Sequence, residues 1–288
     1  MTTKRMIHTS IGVLLTAVLL TAMSSCSTVD TGEESSEVIS GQSVVSYLTE
    51  QENSSAQSEE SSLEVNASTA FQACIMATDE LEAFGYWLYT PESPAENMPL
   101  IVYLHGASGR GEDLELVVSD EDFPKYLQAG KFGDVGAYVL IPQLPSSQRG
   151  WSGISDSLYS LIQKTIADFS IDENNISLAG FSMGGTATWE FAVKYPDLFA
   201  RIAPLSGSAR GVLDQVSVFQ EISVWAFVGS ADTVIAPNSS EQMVAELKKA
   251  GATADITIFD GADHVSVPSL TYLDENTQLI DWLIGKTE

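Results

Sequence analysis

The chain has 288 residues, of which 39 are acidic and 13 basic, giving a formal net charge of −26. That balance repels phosphate backbones and other polyanions, so nucleic acid is not an expected partner. With two cysteines and three histidines, no Cys/His cluster has metal-ligand spacing, and neither a metal nor another cofactor is expected.

Lys4 and Arg5 precede an apolar run from Ile11 to Ala22, which is followed by Met23-Ser24-Ser25-Cys26. A short basic region, about a dozen apolar residues and small residues before a cut describe a secretory signal peptide over 1–25. The run is too short for a comfortable membrane-spanning helix. A cysteine directly after small residues resembles a bacterial lipobox, with Met23 where leucine is usual. The resemblance implies lipidation of Cys26 and attachment to the extracellular face of a bacterial membrane. Residues 26–68 are rich in Ser, Glu, Gln and Thr, hold nine of the acids, and have Tyr47 as their one aromatic residue. Such a stretch buries too little apolar surface to offset its ordering entropy, and it is expected to be a disordered tether. As a flexible coil its mean reach is roughly 35–40 Å. The weakly apolar patch Val44 to Leu48 could form a short transient helix, and no function is assigned to it.

Residues 69–288 suit one domain with a sizeable core. It carries 30 acids against 11 bases. Phe71–Ala77 and Phe84–Tyr89 read as an opening antiparallel pair around Thr78-Asp79-Glu80. Cys74 alternates like a strand residue and reads as a small buried hydrophobe; with Cys26 lipidated, no internal disulfide is expected. Leu100–Leu104, bounded by Pro99 and Gly106, and Ala137–Ile141 read as strands buried on both faces. Phe123–Gln128 reads as a short helix and Asp156–Phe169 as a longer amphipathic one. Ile176–Ala179 is a strand, and Gly184–Tyr195 a helix stopped by Pro196. Ile202–Leu205 and Val224–Val228 are strands. Ser239–Ala250 is a helix with Gly251 as its C-cap. Ala254–Phe259 is a strand, and Glu275–Ile284 a closing helix. Strands alternating with helices predict an α/β fold, a mostly parallel sheet covered on both faces. Only 18 residues separate Leu205 from Val224, which leaves no room there for a large lid.

Between the strand 176–179 and the helix after it stands Gly180-Phe181-Ser182-Met183-Gly184. G-x-S-x-G at a strand-to-helix turn is a nucleophile elbow, which pushes a serine oxygen out at the top of a sheet; the small residues two before and two after make room for the turn. A serine hydroxyl is a weak nucleophile and needs a general base, itself held by an acid. His8 lies in the signal segment, so His105 and His264 are the candidates. The order Ser, then Asp or Glu, then His favours Asp232 and His264. Each follows the carboxyl end of a strand, on the same sheet edge as Ser182. Trp151, after the strand 137–141, is a candidate platform for a sugar or an aromatic acid; the alternative is a packed loop anchor.

Residues 99–288 resemble α/β-hydrolase esterases of the group sometimes labelled predicted peptidases, related to feruloyl and acetylxylan esterases and polyhydroxybutyrate depolymerases. The matching stretches are Leu104-His105-Gly106-Ala107-Ser108-Gly109-Arg110-Gly111-Glu112-Asp113, Ile141-Pro142-Gln143, the elbow with Trp189 and Lys194-Tyr195-Pro196-Asp197-Leu198-Phe199, and the Asp232 and His264 loops. The resemblance implies a Ser182–His264–Asp232 triad, and an oxyanion hole made by the backbone N–H groups of Met183 and Ala107. It also implies that His105 holds its loop and that the cationic loop around Arg110 shapes the site. The expected activity is hydrolysis of short acyl esters, or of acetyl- or feruloyl-type esters on a polysaccharide. The alternatives are a serine peptidase of the same fold and a non-catalytic surface-binding lipoprotein.

Overall fold

The computed structural model describes residues 25–26, 71–76, 84–274 and 277–287. The proposed signal segment up to residue 24, residues 27–68 of the tether with the patch 44–48, and the turn at 78–80 lie outside the described residues. Nine strands form one sheet: β1 (Ser25–Cys26), β2 (Phe71–Met76), β3 (Phe84–Tyr89), β4 (Met98–Leu104), β5 (Tyr138–Pro142), β6 (Ile171–Phe181), β7 (Arg201–Leu205), β8 (Ser223–Gly229) and β9 (Ala254–Phe259). Their order is β1-β2-β3-β5-β4-β6-β7-β8-β9. β1 to β3 run antiparallel, with β3 joining β5; from β5 through β4 to β9 every pairing is parallel. The helices are α1 (Glu115–Asp120), α2 (Asp122–Gln128), α3 (Ser155–Phe169), α4 (Met183–Lys194), α5 (Asn238–Lys249), α6 (Ser266–Leu273) and α7 (Leu279–Leu283).

The central strand shows why the apolar runs are continuous. Leu100, Val102 and Leu104 of β4 face a core shared with Leu158 and Leu161 of α3, Trp189 of α4 and Leu247 of α5. Ile101 and Tyr103 face the opposite core, with Val117, Phe123, Val267 and Leu283 from α1, α2, α6 and α7. Helices on both faces require apolar side chains in both alternating sets.

Several boundaries differ from expectation. Pro99 lies inside β4 rather than before it, at the register irregularity between Met98 and Leu100 where its missing N–H is tolerated. β6 begins at Ile171, because that residue already pairs with Met98; the polar stretch Asp172 to Asn175 falls in the register irregularity before Ile176 meets Leu100. The start of the expected helix 275–284 lies outside the described residues; its described part is the short α7. α1 and α6 were not anticipated. In α6, Pro268 is the third helical residue, inside the first turn, where its N–H would lack an intrahelical partner in any case.

Cys74 also departs from expectation. It is buried as foreseen, but it is disulfide-bonded and not a lone thiol. In the backbone register Cys74 lies directly opposite Cys26. Among the described residues no helix is long and apolar enough to cross a membrane.

Candidate active site

β6 ends at Phe181, and α4 begins at Met183. Ser182 makes the whole reversal between them with φ 56° and ψ −112°, a conformation that costs a non-glycine residue of order 1–3 kcal/mol. Its N–H donates to the Leu205 carbonyl at 2.9 Å, which ties the turn to β7. The turn closes only because its neighbours lack side chains. A Cβ on Gly184 would stand 1.8 Å from the Leu104 carbonyl oxygen, and one on Gly180 would stand 2.6 Å from the Gly184 backbone.

Asp232 and His264 arrive on the loops after β8 and β9. These loops pack backbone to backbone: the Ala231 N–H donates to the Ala262 carbonyl at 3.0 Å. A Cβ on Gly229 would lie 2.3 Å from that same oxygen. The Asp232 carboxylate is divided between two tasks. Its Oδ1 accepts the N–H groups of Val234 (2.8 Å) and Ile235 (2.9 Å). Its Oδ2 lies 2.7 Å from His264 Nδ1. His264 Nε2 lies 2.8 Å from Ser182 Oγ. The imidazole ring rests on Phe181 with centroids 5.0 Å apart. The carboxylate at Nδ1 favours the tautomer with its proton there, which leaves Nε2 free to accept the serine proton.

His105 is far from this role. It is fully buried, its Nε2 accepts the Leu144 N–H at 2.9 Å, and its Nδ1 lies 2.6 Å from the Gly106 carbonyl oxygen. The Leu144 bond makes Nε2 the acceptor, so Nδ1 carries the proton and donates. Burial pushes the imidazole down to about 4, partly offset by the bond to Gly106, and keeps it neutral.

Trp151 takes the second of its two readings, the packed loop anchor. It is 2 % exposed, its Nε1 donates to the His105 carbonyl at 3.2 Å, and its ring meets the His105 ring edge-on at 4.9 Å. A side chain so enclosed offers no face to a sugar; it anchors the loop. The Arg110 guanidinium reaches the Gln148 carbonyl at 3.4 Å, out on the surface.

Ala107 is exposed and Met183 half-buried. Neither N–H has a hydrogen-bond partner among the described residues. Gly106 packs against the nucleophile, its missing Cβ position 3.5 Å from that of Ser182. The loop is held from below by Gln143, whose Nε2 donates to the carbonyls of Gly109 (2.9 Å) and Asp113 (2.6 Å).

One residue in this shell escaped the sequence reading. Glu121 is 2 % exposed, and its Oε1 accepts the Gly106 N–H at 3.0 Å and the Ser108 hydroxyl at 2.7 Å. It stands in Asp120-Glu121-Asp122, an acidic run that by itself looks like any solvated surface. Among the described residues no cluster of His, Cys, Asp and Glu gathers so as to hold a metal ion.

The solved structure titled "Crystal Structure of a Thermostable Esterase" superposes with a TM-score of 0.64 at 27% identity, covering 74% of this chain and 62% of that one. The chain has the α/β-hydrolase fold. Residues 146–268 match the model of the Dienelactone hydrolase family, a stretch that contains Ser182, Asp232 and His264. The chain is also similar to Feruloyl esterase B of Thermothelomyces thermophilus, 28% identical over 137 residues, 43% of this chain and 44% of that protein. Acetylxylan esterase A of Emericella nidulans is 25% identical over 139 residues, 44% of this chain and 43% of that protein. The chain thus spans less than half the length of the curated relatives it matches. The acetyl xylan esterase from Aspergillus awamori shares the fold, with a TM-score of 0.51 at 18% identity over 69% of this chain and 93% of that one.

Proposed function

We propose that the chain is a serine carboxylesterase that hydrolyses short acyl esters, or acetyl- or feruloyl-type esters carried on a polysaccharide. The observation that carries this reading is the unbroken relay of Ser182 Oγ to His264 Nε2 at 2.8 Å and His264 Nδ1 to Asp232 at 2.7 Å. His264 takes the hydroxyl proton as Ser182 Oγ attacks the ester carbonyl carbon. The carbonyl π electrons move onto oxygen, which the N–H groups of Met183 and Ala107 receive. Collapse of that tetrahedral species breaks the bond to the alcohol, which leaves with the proton from His264. Water then repeats the sequence and frees the acid. Asp232 holds the ring in its productive tautomer throughout. The names of the curated relatives support the ester class.

The direct test is hydrolysis of p-nitrophenyl acetate and butyrate by the wild type and Ser182→Ala, alongside labelling by a fluorophosphonate. Activity is expected to fall by roughly three or more decades in the variant, with the label lost. A wild type that takes no label, or a variant that keeps the activity, sinks the reading. Paired ester and peptide substrates test the peptidase alternative. Activity also falls on the acid side, where a protonated imidazole cannot accept the serine proton.

The same reading places the protein outside the cell, tethered through lipid on Cys26. The basic start, the apolar run and the small residues before Cys26 support it. A chain with two cysteines cannot both lipidate Cys26 and close an internal disulfide at Cys74. Mass spectrometry of the mature protein decides: a diacylglyceryl adduct on Cys26 with an alkylatable Cys74 upholds the anchor, and an unmodified, non-alkylatable pair rejects it.

A further inference from the structure

We propose that Glu121 is a positioning residue for the oxyanion hole: its buried carboxylate and the His105 imidazole grip the backbone on either side of Gly106 and so aim the Ala107 N–H at the developing oxyanion. The proposal rests on the reading of Ser182 as nucleophile and Ala107 as an oxyanion donor.

The geometry follows from the planarity of the peptide. Glu121 Oε1 fixes the Gly106 N–H at 3.0 Å. His105 Nδ1 fixes the Gly106 carbonyl at 2.6 Å. That carbonyl belongs to the same peptide unit as the Ala107 N–H, and the chain has no cis bonds among its described residues. In a trans peptide the C=O and N–H point in opposite directions. Fixing the carbonyl therefore fixes the direction of the Ala107 N–H. Past Ala107 the loop returns to the same carboxylate: the Ser108 hydroxyl donates to it at 2.7 Å, and the Gly109 N–H bonds to it as well. Three donors from residues 106–109 converge on Glu121, and the N–H of Ala107 is left out of that set. The close approach depends on Gly106, where a Cβ would stand 3.1 Å from Glu121 Oε1.

A carboxylate in this place is otherwise hard to explain. Burial of an acid is costly unless its bonds are made. Here desolvation raises the Glu121 pKa while the bonds to Ser108, Gly106 and Gly109 lower it. The Tyr103 hydroxyl is 3.5 Å from Oε2, too long for a strong bond. Among the described residues no cation pairs with Glu121, so the acid does not serve an ion pair. Its bonded partners belong to the loop that carries Ala107.

The test measures kcat and KM for p-nitrophenyl butyrate on active-site-titrated protein, with the Ki of an alkyl trifluoromethyl ketone, which forms a tetrahedral adduct and needs the hole. In Glu121→Ala, kcat is expected to drop about 10–100-fold with KM nearly unchanged, below the 10²–10³-fold typical for outright loss of a donor. The Ki should rise by a comparable factor. In Glu121→Gln the amide oxygen can still serve Gly106 and Ser108 while its NH₂ turns to the Tyr103 hydroxyl, so most of both losses should be recovered. A merely structural role would lower the melting temperature while leaving kcat and Ki of the titrated sites unchanged, and that result overturns the proposal. So does a fall in kcat without a rise in Ki. If Glu121→Ala does not fold, Glu121→Asp, which withdraws the carboxylate by one methylene, is read in the same way. Titration itself separates the two layers: a wild type with no fluorophosphonate-reactive serine refutes the esterase reading, whereas a reactive wild type with unaffected Glu121 variants refutes only the positioning role.

Discussion

Two buried ionisable side chains flank Gly106, and they couple to pH in opposite senses. His105 is held at about 4 by burial, against 6.5 in the open chain. The unfolded state therefore binds its proton first as pH falls. The stability associated with neutral His105 is complete above 6.5, is lost as pH drops from 6.5 toward 4, and amounts to about 3 kcal/mol over that span. Burial raises Glu121, so its ionisation costs stability as pH climbs above the ordinary carboxylate range. Comparing wild type with His105→Gln cancels the Glu121 contribution and isolates that of His105. The stability advantage of the wild type at pH 7 should shrink steadily toward pH 4.5 in urea unfolding; a gap independent of pH would mean that His105 is not kept neutral by the fold. At this scale legibility follows chemistry. Ser182, Asp232 and His264 could be read because the motif, the chain order and the scarcity of histidine each narrow the choice, and the structure brings those three side chains within hydrogen-bond distance. Glu121 could not, since nothing in an acidic tripeptide marks which carboxylate turns inward. Trp151 kept two readings for a related reason: a tryptophan on a loop above a site has the same letters around it whether its face is open or packed on His105.

At the scale of elements, the elbow is the most constrained object in the fold. Its glycines are demanded by backbone oxygens, which cannot move aside as a flexible side chain would. Gly184→Ala puts a methyl group within 1.8 Å of the Leu104 oxygen, and the expected cost is at least about 3 kcal/mol, with loss of fluorophosphonate labelling. Gly150 is the control. Its φ of −171° is ordinary extended backbone, a Cβ there meets nothing within 4 Å, and Gly150→Ala should stay within about 0.5 kcal/mol of wild type. Paired denaturant curves check both; equal stabilities for the two variants would contradict the elbow packing. Elsewhere the strands were readable because both of their faces are buried, and the long helices because their apolar spacing is regular. α1 is six residues long, too short for a periodicity to emerge. α6 carries Pro268, which reads as a breaker unless one knows that it sits in the first turn. Pro99 looked like a strand boundary, and only the register irregularity beside Met98 shows how β4 passes through it.

On the scale of the molecule, a single sheet is sealed by α3, α4 and α5 on one face and by α1, α2, α6 and α7 on the other. The site stands at the edge, where the strands end. The segment between β7 and β8, where a lid would rise, holds only two short 3-10 turns, Arg210–Val212 and Val216–Glu221. With no lid in that segment, the rate on p-nitrophenyl butyrate should follow a smooth saturation curve through the solubility limit of the ester; a jump in rate at that limit would point to a closing element outside the described residues. The mostly parallel sheet and the short β7–β8 connection followed from element order and from the 18 residues between Leu205 and Val224. The relation of Cys74 to the rest of the chain did not, because pairing depends on what two cysteines meet in space.

The relay also has an order in time. His264 lies 82 residues after Ser182, and at about 5–20 residues per second a ribosome needs on the order of 4–16 s to add them. Through that interval the elbow can form, since its contacts to Leu104 and Leu205 are made by segments at hand or soon to follow, but its serine has no base. Nascent chains that stop short of residue 264 therefore carry Ser182 without the imidazole that would take its proton, and the relay can close only after His264 has been added.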